Sequence, residues 1–185
     1  PSRALHLWRY TPWARIHPSK VTEVPDANDV QFDVLEGCPL IEGAPRIVDG
    51  DDIGRVFLSE LGGSAWTMET DGQREIIHLQ AVTSGENAVG HLHLVLNHDV
   101  AVVLHLTGQS EWAGLHITGT VNANVRAAFG LVNELSPKGK LLHCEDWTIG
   151  RDATLELAGL SIGGSRCKSD VRSRLTASGL SLIHI

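Results

Sequence analysis

The sequence predicts a mainly β protein: a parallel β-helix of about four coils, preceded by a short, partly helical N-terminal segment. Two observations carry this. From Glu75 onward, strand-like stretches recur, broken by the Gly, Asn and Asp residues that supply turns. Those stretches also stack as a loose repeat. Leu96-Asn-His-Asp-Val100 leads into Ala-Val-Val-Leu104, and Val121-Asn-Ala-Asn-Val125 into Arg-Ala-Ala-Phe129. Ile149-Gly-Arg-Asp-Ala153 leads into Thr-Leu-Glu-Leu157, and Leu175-Thr-Ala-Ser-Gly-Leu180 into Ser-Leu-Ile183. The leading apolar residues are 25, 28 and 26 positions apart. A unit of about 25 residues with β signals fits one coil, which buries its apolar face only when the next coil stacks on it. Evenly spaced short strands also fit an antiparallel sandwich or barrel, so the pattern alone leaves that alternative open.

In chain order, residues 1–40 form a lead-in rich in proline, with Trp8, Tyr10 and Trp13 and no sustained period. Leu5 to Tyr10 can make one helical turn, limited by Pro12. The aromatics are expected to dock this segment on its own core, with an anchor for a partner as the alternative. Residues 41–74 are transitional. Arg46-Ile-Val-Asp-Gly-Asp-Asp-Ile53 reads as strand, turn, strand, and Val56 to Leu61 as a helical turn or a strand ended by Gly62-Gly63. Residues 75–185 form the coil-bearing core. Upstream of the turns, Leu92–Leu96, Leu115–Val121 and Leu142–Ile149 read as strands. The chain stops in Leu180-Ser-Leu-Ile-His-Ile185, an apolar strand with nothing after it. An uncovered edge invites aggregation, so a fragment, or non-native final residues, is expected.

Composition narrows the function classes. At 185 residues with 42% hydrophobic and 20% charged residues, the chain can bury a core. Fifteen basic against 22 acidic residues leave a net charge of −7, so no bulk field draws nucleic acid. No apolar run is long enough for a membrane helix. The scattered Cys38, Cys144 and Cys167 read as reduced thiols of a cytoplasmic protein.

Two stretches carry a family resemblance. Leu7-Trp8-Arg9-Tyr10-Thr11 is similar to the Trp-Arg/Lys-Tyr-Thr opening of SufD proteins, subunits of the SUF iron–sulfur cluster assembly machinery. Trp147-Thr-Ile-Gly150-Arg151-Asp152-Ala-Thr-Leu-Glu156, then Gly163-Gly164, Arg166 and Asp170-Val171, resembles the SufB/SufD core pattern of a Gly-Arg-Asp-Ala turn, a Gly-Gly stretch and an Arg-x-x-x-Asp-Val strand. The resemblance implies a right-handed parallel β-helix. It implies a scaffold, not a catalyst, working through contacts with SufB-like and SufC-like subunits. No cofactor is expected on this chain alone; the iron–sulfur cluster would belong to the assembled complex. Gly150, Gly163 and Gly164 are expected in turns, with Arg166 and Asp170 supporting the adjoining coil. Family members run to roughly twice this length, and their second half carries the pairing and docking surfaces.

The ten histidines raise a competing metal reading. Gly85, His91 and His93 match the start of a cupin motif, and Gly130, Pro137, Gly139 and His143 approximate its second half. A cupin-type enzyme would use His91, His93, His98 and His143, but the motif's carboxylate is missing, its place taken by Asn97 or His98. The simpler expectation follows from strand alternation. Leu92, Leu94 and Leu96 share one face, and His91 and His93 share the other, outside the core. His143-Cys144-Glu145-Asp146 places a soft ligand beside an imidazole, yet adjacent strand residues face opposite ways. The neighbouring carboxylates would raise the Cys144 thiol, which reads as a small buried apolar group. Cys167, between Arg166 and Lys168, has the better setting for a reactive thiol but is expected to face solvent.

Overall fold

The computed structural model describes residues 12–20, 23–44 and 52–176. Trp8, Arg9, Tyr10 and Thr11 lie outside the described residues, as do residues 46–51 of the expected strand and turn and residues 177–185 at the C-terminal end. The described chain is mainly β, a parallel solenoid of about four turns with a short helical N-terminal segment.

One sheet contains β1 (Asn28–Asp29), β3 (Leu40–Glu42), β4 (Ser64–Glu69), β6 (Asn87–Leu96), β8 (Trp112–Val121), β10 (Lys140–Ile149) and β12 (Arg166–Leu175). The other contains β2 (Gln31–Glu36), β5 (Ile76–Thr83), β7 (Val100–Gly108), β9 (Arg126–Leu135) and β11 (Thr154–Ser161). The chain alternates between sheets from β4 onward, so each turn stacks a strand on each. The register follows the repeat. Leu96 lies opposite Val121, Val121 opposite Ile149, and Ile149 opposite Leu175. At the start of the solenoid, β2 and β3 pair antiparallel to β5 and β4 and cover the first edges.

The interior is a ladder of apolar side chains in which Leu92, Leu94 and Leu96 meet Ile117, Val121, Phe129 and Trp147. The two sheets differ outside. β5, β7 and β9 alternate buried and accessible positions, whereas β6, β8 and β10 are buried on both faces. The cover on that second face is α1 (Trp13–Ile16) and α2 (Ile53–Leu61). Their apolar residues Ile16, Phe57 and Leu58 pack on Val89, Trp112, Leu142 and Cys144.

Residues 53–61 are thus one helix, where the sequence suggested a strand at Ile53 and either element further on. Phe57, Leu58 and Leu61 recur at helical spacing. Asp52 caps the first turn by accepting the Arg55 N–H at 2.9 Å. Gly62 ends the helix with φ of 76°. Trp13 of the lead-in packs edge-on against Phe57, with centroids 5.1 Å apart, and Trp112 Nε1 donates to the Ile16 carbonyl at 2.7 Å. Trp13 is therefore seated on the chain's own core.

Candidate functional site

Buried charge between α2 and the covered sheet is the first feature of the fold that ordinary core packing does not explain. Arg55 is fully buried, and its guanidinium reaches two adjacent strands, β10 and β12. Nε donates to Asp146 Oδ2 at 2.7 Å, Nη1 to Asp170 Oδ1 at 2.6 Å, and Nη2 to the Glu145 carbonyl at 3.0 Å. Arg172 closes the group, donating to Asp52 Oδ2 at 2.7 Å and to Asp170 Oδ1 at 3.2 Å. His116 Nε2 donates to the same Asp146 oxygen at 2.7 Å. Burial pushes the Asp146 carboxyl up, but the hydrogen bonds and charges of His116 and Arg55 outweigh it and leave it below its ordinary value. Every strong donor here already has an acceptor. The network is built to hold α2 on the sheet and leaves no open valence for a substrate.

Sequence reasoning missed Arg55. The signal was slight: one arginine on the apolar side of a short helix, 115 residues from its partner Asp170.

The four histidines of the metal reading do not converge. His91 and His93 lie on the outer face, His91 Nε2 donating to the Gly62 carbonyl at 2.7 Å and His93 Nδ1 meeting Thr118 Oγ1 at 2.8 Å. Burial lowers the His93 ring. The face expected to meet solvent or a partner is thus roofed by the chain's own helix. His98 lies in the turn after β6, beside Gly72. His143 points inward, into a cavity at the far end of the solenoid. Among the described residues, no group of three His, Cys, Asp or Glu side chains is placed to hold a metal ion.

Residues of the family pattern fall in successive coils. Gly150 opens a turn, its N–H donating to the Val121 carbonyl at 2.8 Å. Asp152 takes φ of 56°, a left-handed conformation that Asp and Asn tolerate, and Asn124 does the same in the preceding coil with φ of 63°. Arg151 is exposed and pairs with Asp152 at 3.4 Å. At Gly163 a Cβ would strike the Leu135 carbonyl of the coil below, so only glycine lets the turn approach that closely. Gly164, with φ of 80°, follows it. Arg166 Nη1 donates to the Arg15 carbonyl at 3.1 Å, tying the last strand to α1. Asp170 is the buried acceptor shared by Arg55 and Arg172.

The tetrad at 143–146 splits as alternation requires. Cys144 and Asp146 face α2, and His143 and Glu145 face the interior. Burial pushes the Cys144 thiol up to about 12, despite the opposing Arg55 charge, with Asp52, Asp170 and Asp146 adding to the rise. Cys144 is an inert packing group. Cys38 is buried, with Asp71 as a hydrogen-bond partner. Cys167 is exposed at the mouth of the cavity. Its flanking cations fall on the opposite strand face and do not lower it; burial raises the thiol, against a smaller pull from Ser169.

His143 carries a pH prediction. Burial pushes its ring down to about 3, with the charges of His116 and Arg55 adding to the fall. The unfolded chain protonates this ring below about pH 6.5, while the folded chain resists until about 3. The unfolded state therefore binds more protons across that window, and stability falls as pH drops through it. Urea midpoints measured at stepped pH should fall across that range in the parent and flatten in His143→Gln. An unchanged slope in the variant would place the acid sensitivity elsewhere.

The fold and its contents define a β-solenoid with one helix-roofed sheet, an internal charge lock and a cavity at the end of the described coils. No family model, curated protein or solved structure matches the chain. Among the described residues, no helix is long and apolar enough to cross a membrane.

Proposed function

We propose that the chain is a SufD-like scaffold that takes part in cytoplasmic iron–sulfur cluster assembly through contacts with SufB-like and SufC-like subunits. The observation that carries this reading is where the motif residues fall. The Gly150-Arg151-Asp152 turn, the Gly163-Gly164 close approach and the Asp170 strand occupy successive coils of one parallel solenoid. Asp170 also binds the helix that follows the lead-in segment, through Arg55. A scaffold needs rigid, extended faces. The outer face of β5, β7 and β9 and the edges of β11 and β12, which pair with no further strand among the described residues, offer such surface. The cluster would be carried by the assembled complex, with no cofactor resident on this chain.

Co-expression with a SufB and a SufC subunit tests this. The tagged chain should bring both down in one complex by native mass spectrometry. If it purifies alone under conditions where an authentic SufD assembles, the scaffold reading fails.

A further inference from the structure

The cavity at the end of the solenoid has a volume of about 310 Å³, within reach of a small ligand. Its walls include Leu131, Leu157 and Val171, and its polar groups lie in a row. Cys167 Sγ is 3.7 Å from Ser169 Oγ, Ser169 Oγ is 3.4 Å from His143 Nδ1, and His143 Nε2 is 3.2 Å from Glu145 Oε1. Trp147 Nε1 donates to the other Glu145 oxygen at 2.6 Å. The row is a product of register. Ser169 lies opposite His143 on adjacent strands, and Cys167 and Glu145 are each two residues along, on the same inner face.

His143 Nε2 is buried and makes no hydrogen bond: Glu145 is close, but off the line of the ring N–H. An orphaned buried nitrogen is costly, and a native fold that keeps one calls for a reason. Among the described residues lining the cavity, Glu145 is the one carboxylate; β9 and β11 bring only neutral groups, such as Asn133 and Ser161. Arg55, Asp146 and His116 lie across the sheet on the outer face.

We propose that Cys167 is a reactive thiol served by a proton relay through Ser169 and His143 to Glu145, and that it exchanges with small uncharged disulfides entering the end cavity. In the step, the Cys167 sulfur attacks one sulfur of the disulfide. A mixed disulfide forms, and the other half leaves as a thiolate. The thiol proton passes to Ser169 Oγ while the hydroxyl proton moves to His143 Nδ1. His143 turns to release its Nε2 proton to Glu145, which later returns it to solvent, and the departing thiolate takes a proton from water at the mouth of the cavity. No net oxidation occurs beyond the exchange. The imidazole changes tautomer without acquiring charge, which suits a ring that burial keeps neutral. The proton comes to rest on a carboxyl that burial has made more basic, against the Trp147 hydrogen bond. A thiol raised by burial holds little thiolate of its own, so its reactivity needs such a base. Apolar walls and the Glu145 charge select against anionic disulfides. Cys167 would be the catalytic residue; Ser169, His143 and Glu145 are positioning residues.

The probe is 4,4′-dithiodipyridine, an uncharged disulfide whose released thione absorbs strongly, with the modified cysteine located by peptide mass mapping. Reaction is expected at Cys167, about tenfold or more faster at neutral pH than in Glu145→Gln or Ser169→Ala. The parent rate should level off above the Glu145 ionisation, whereas both variants should keep rising toward the ordinary thiol range. Ser169→Thr keeps the hydroxyl and should restore rate and profile. If Glu145→Gln fails to fold, Ser169→Ala stands as the test, because position 169 is exposed and carries no buried charge. A parent rate and pH profile matched by Ser169→Ala would overturn the relay and leave Cys167 an ordinary exposed thiol.

Discussion

Arg55→Ala is expected to destabilise the fold by about 3–5 kcal/mol, the range for removing one partner of a buried ionic group. The loss comes from what remains as well as from what is removed. Asp170 and Asp52 are buried, Asp146 nearly so, and the guanidinium binds Asp146 and Asp170 directly. Without it, their charges face one another in a poorly solvated gap, with only Arg172 and His116 to answer them. Arg55→Lys should recover part of the loss, because a compact ammonium keeps the charge but lacks the planar fork whose three nitrogens reach separate acceptors. Urea denaturation gives the magnitude, and hydrogen exchange should show the α2 amides opening first. A loss of under about 1 kcal/mol would mean the network behaves like a solvated surface pair and is not what holds the helix.

Trp147→Ala should cost about 3–5 kcal/mol by a different route, the emptying of a packed interior. Its indole lies inside the solenoid with Phe129, centroids 5.4 Å apart, and its N–H is used by Glu145. Removing it leaves a hole and an unanswered buried carboxylate. The ring fits because Gly119 lies opposite it on the neighbouring strand, where a Cβ would collide with the indole. Gly119→Ala alone is therefore expected to cost about 1–3 kcal/mol by overpacking. The double variant should cost less than the sum, since the new methyl occupies part of the hole. Strict additivity in thermal and urea melts would show that the two positions do not share that space.

The coils were legible because a solenoid writes its period into the chain. Every turn must return an apolar residue to the same interior position, so Leu96, Val121, Ile149 and Leu175 recur and then stack in register. Strand alternation placed Leu92, Leu94 and Leu96 inside and split His143 from Cys144, because period-two geometry needs only local backbone. Helix α2 was half legible. Phe57, Leu58 and Leu61 carry helical spacing, but nine residues with two flanking glycines hold too little local signal to separate helix from strand.

The charge lock was not legible. Arg55, Asp146 and Asp170 look in sequence like three ordinary surface charges, and each lies among residues of mixed polarity. Their burial follows from the roofing of one sheet by α2, a contact between segments 90 or more residues apart. Cys167 shows the same limit. Its neighbours Arg166 and Lys168 suggested a lowered thiol, but they project from the other face and burial raises it instead.

By itself, then, the sequence determined the β class, the length of the repeat, which strand residues share a face, and the turns in which Asn124 and Asp152 take left-handed backbone. These follow from local sterics and from a periodic demand for apolar burial, both of which act residue by residue along the chain. Tertiary structure alone decided which sheet is covered, that the buried charges meet, and that Cys167, Ser169, His143 and Glu145 form one row at the end of the described coils. Those outcomes depend on which coil lies over which and where a short helix lands. Distances of that kind are set by closure of the whole fold, and no window of sequence contains them.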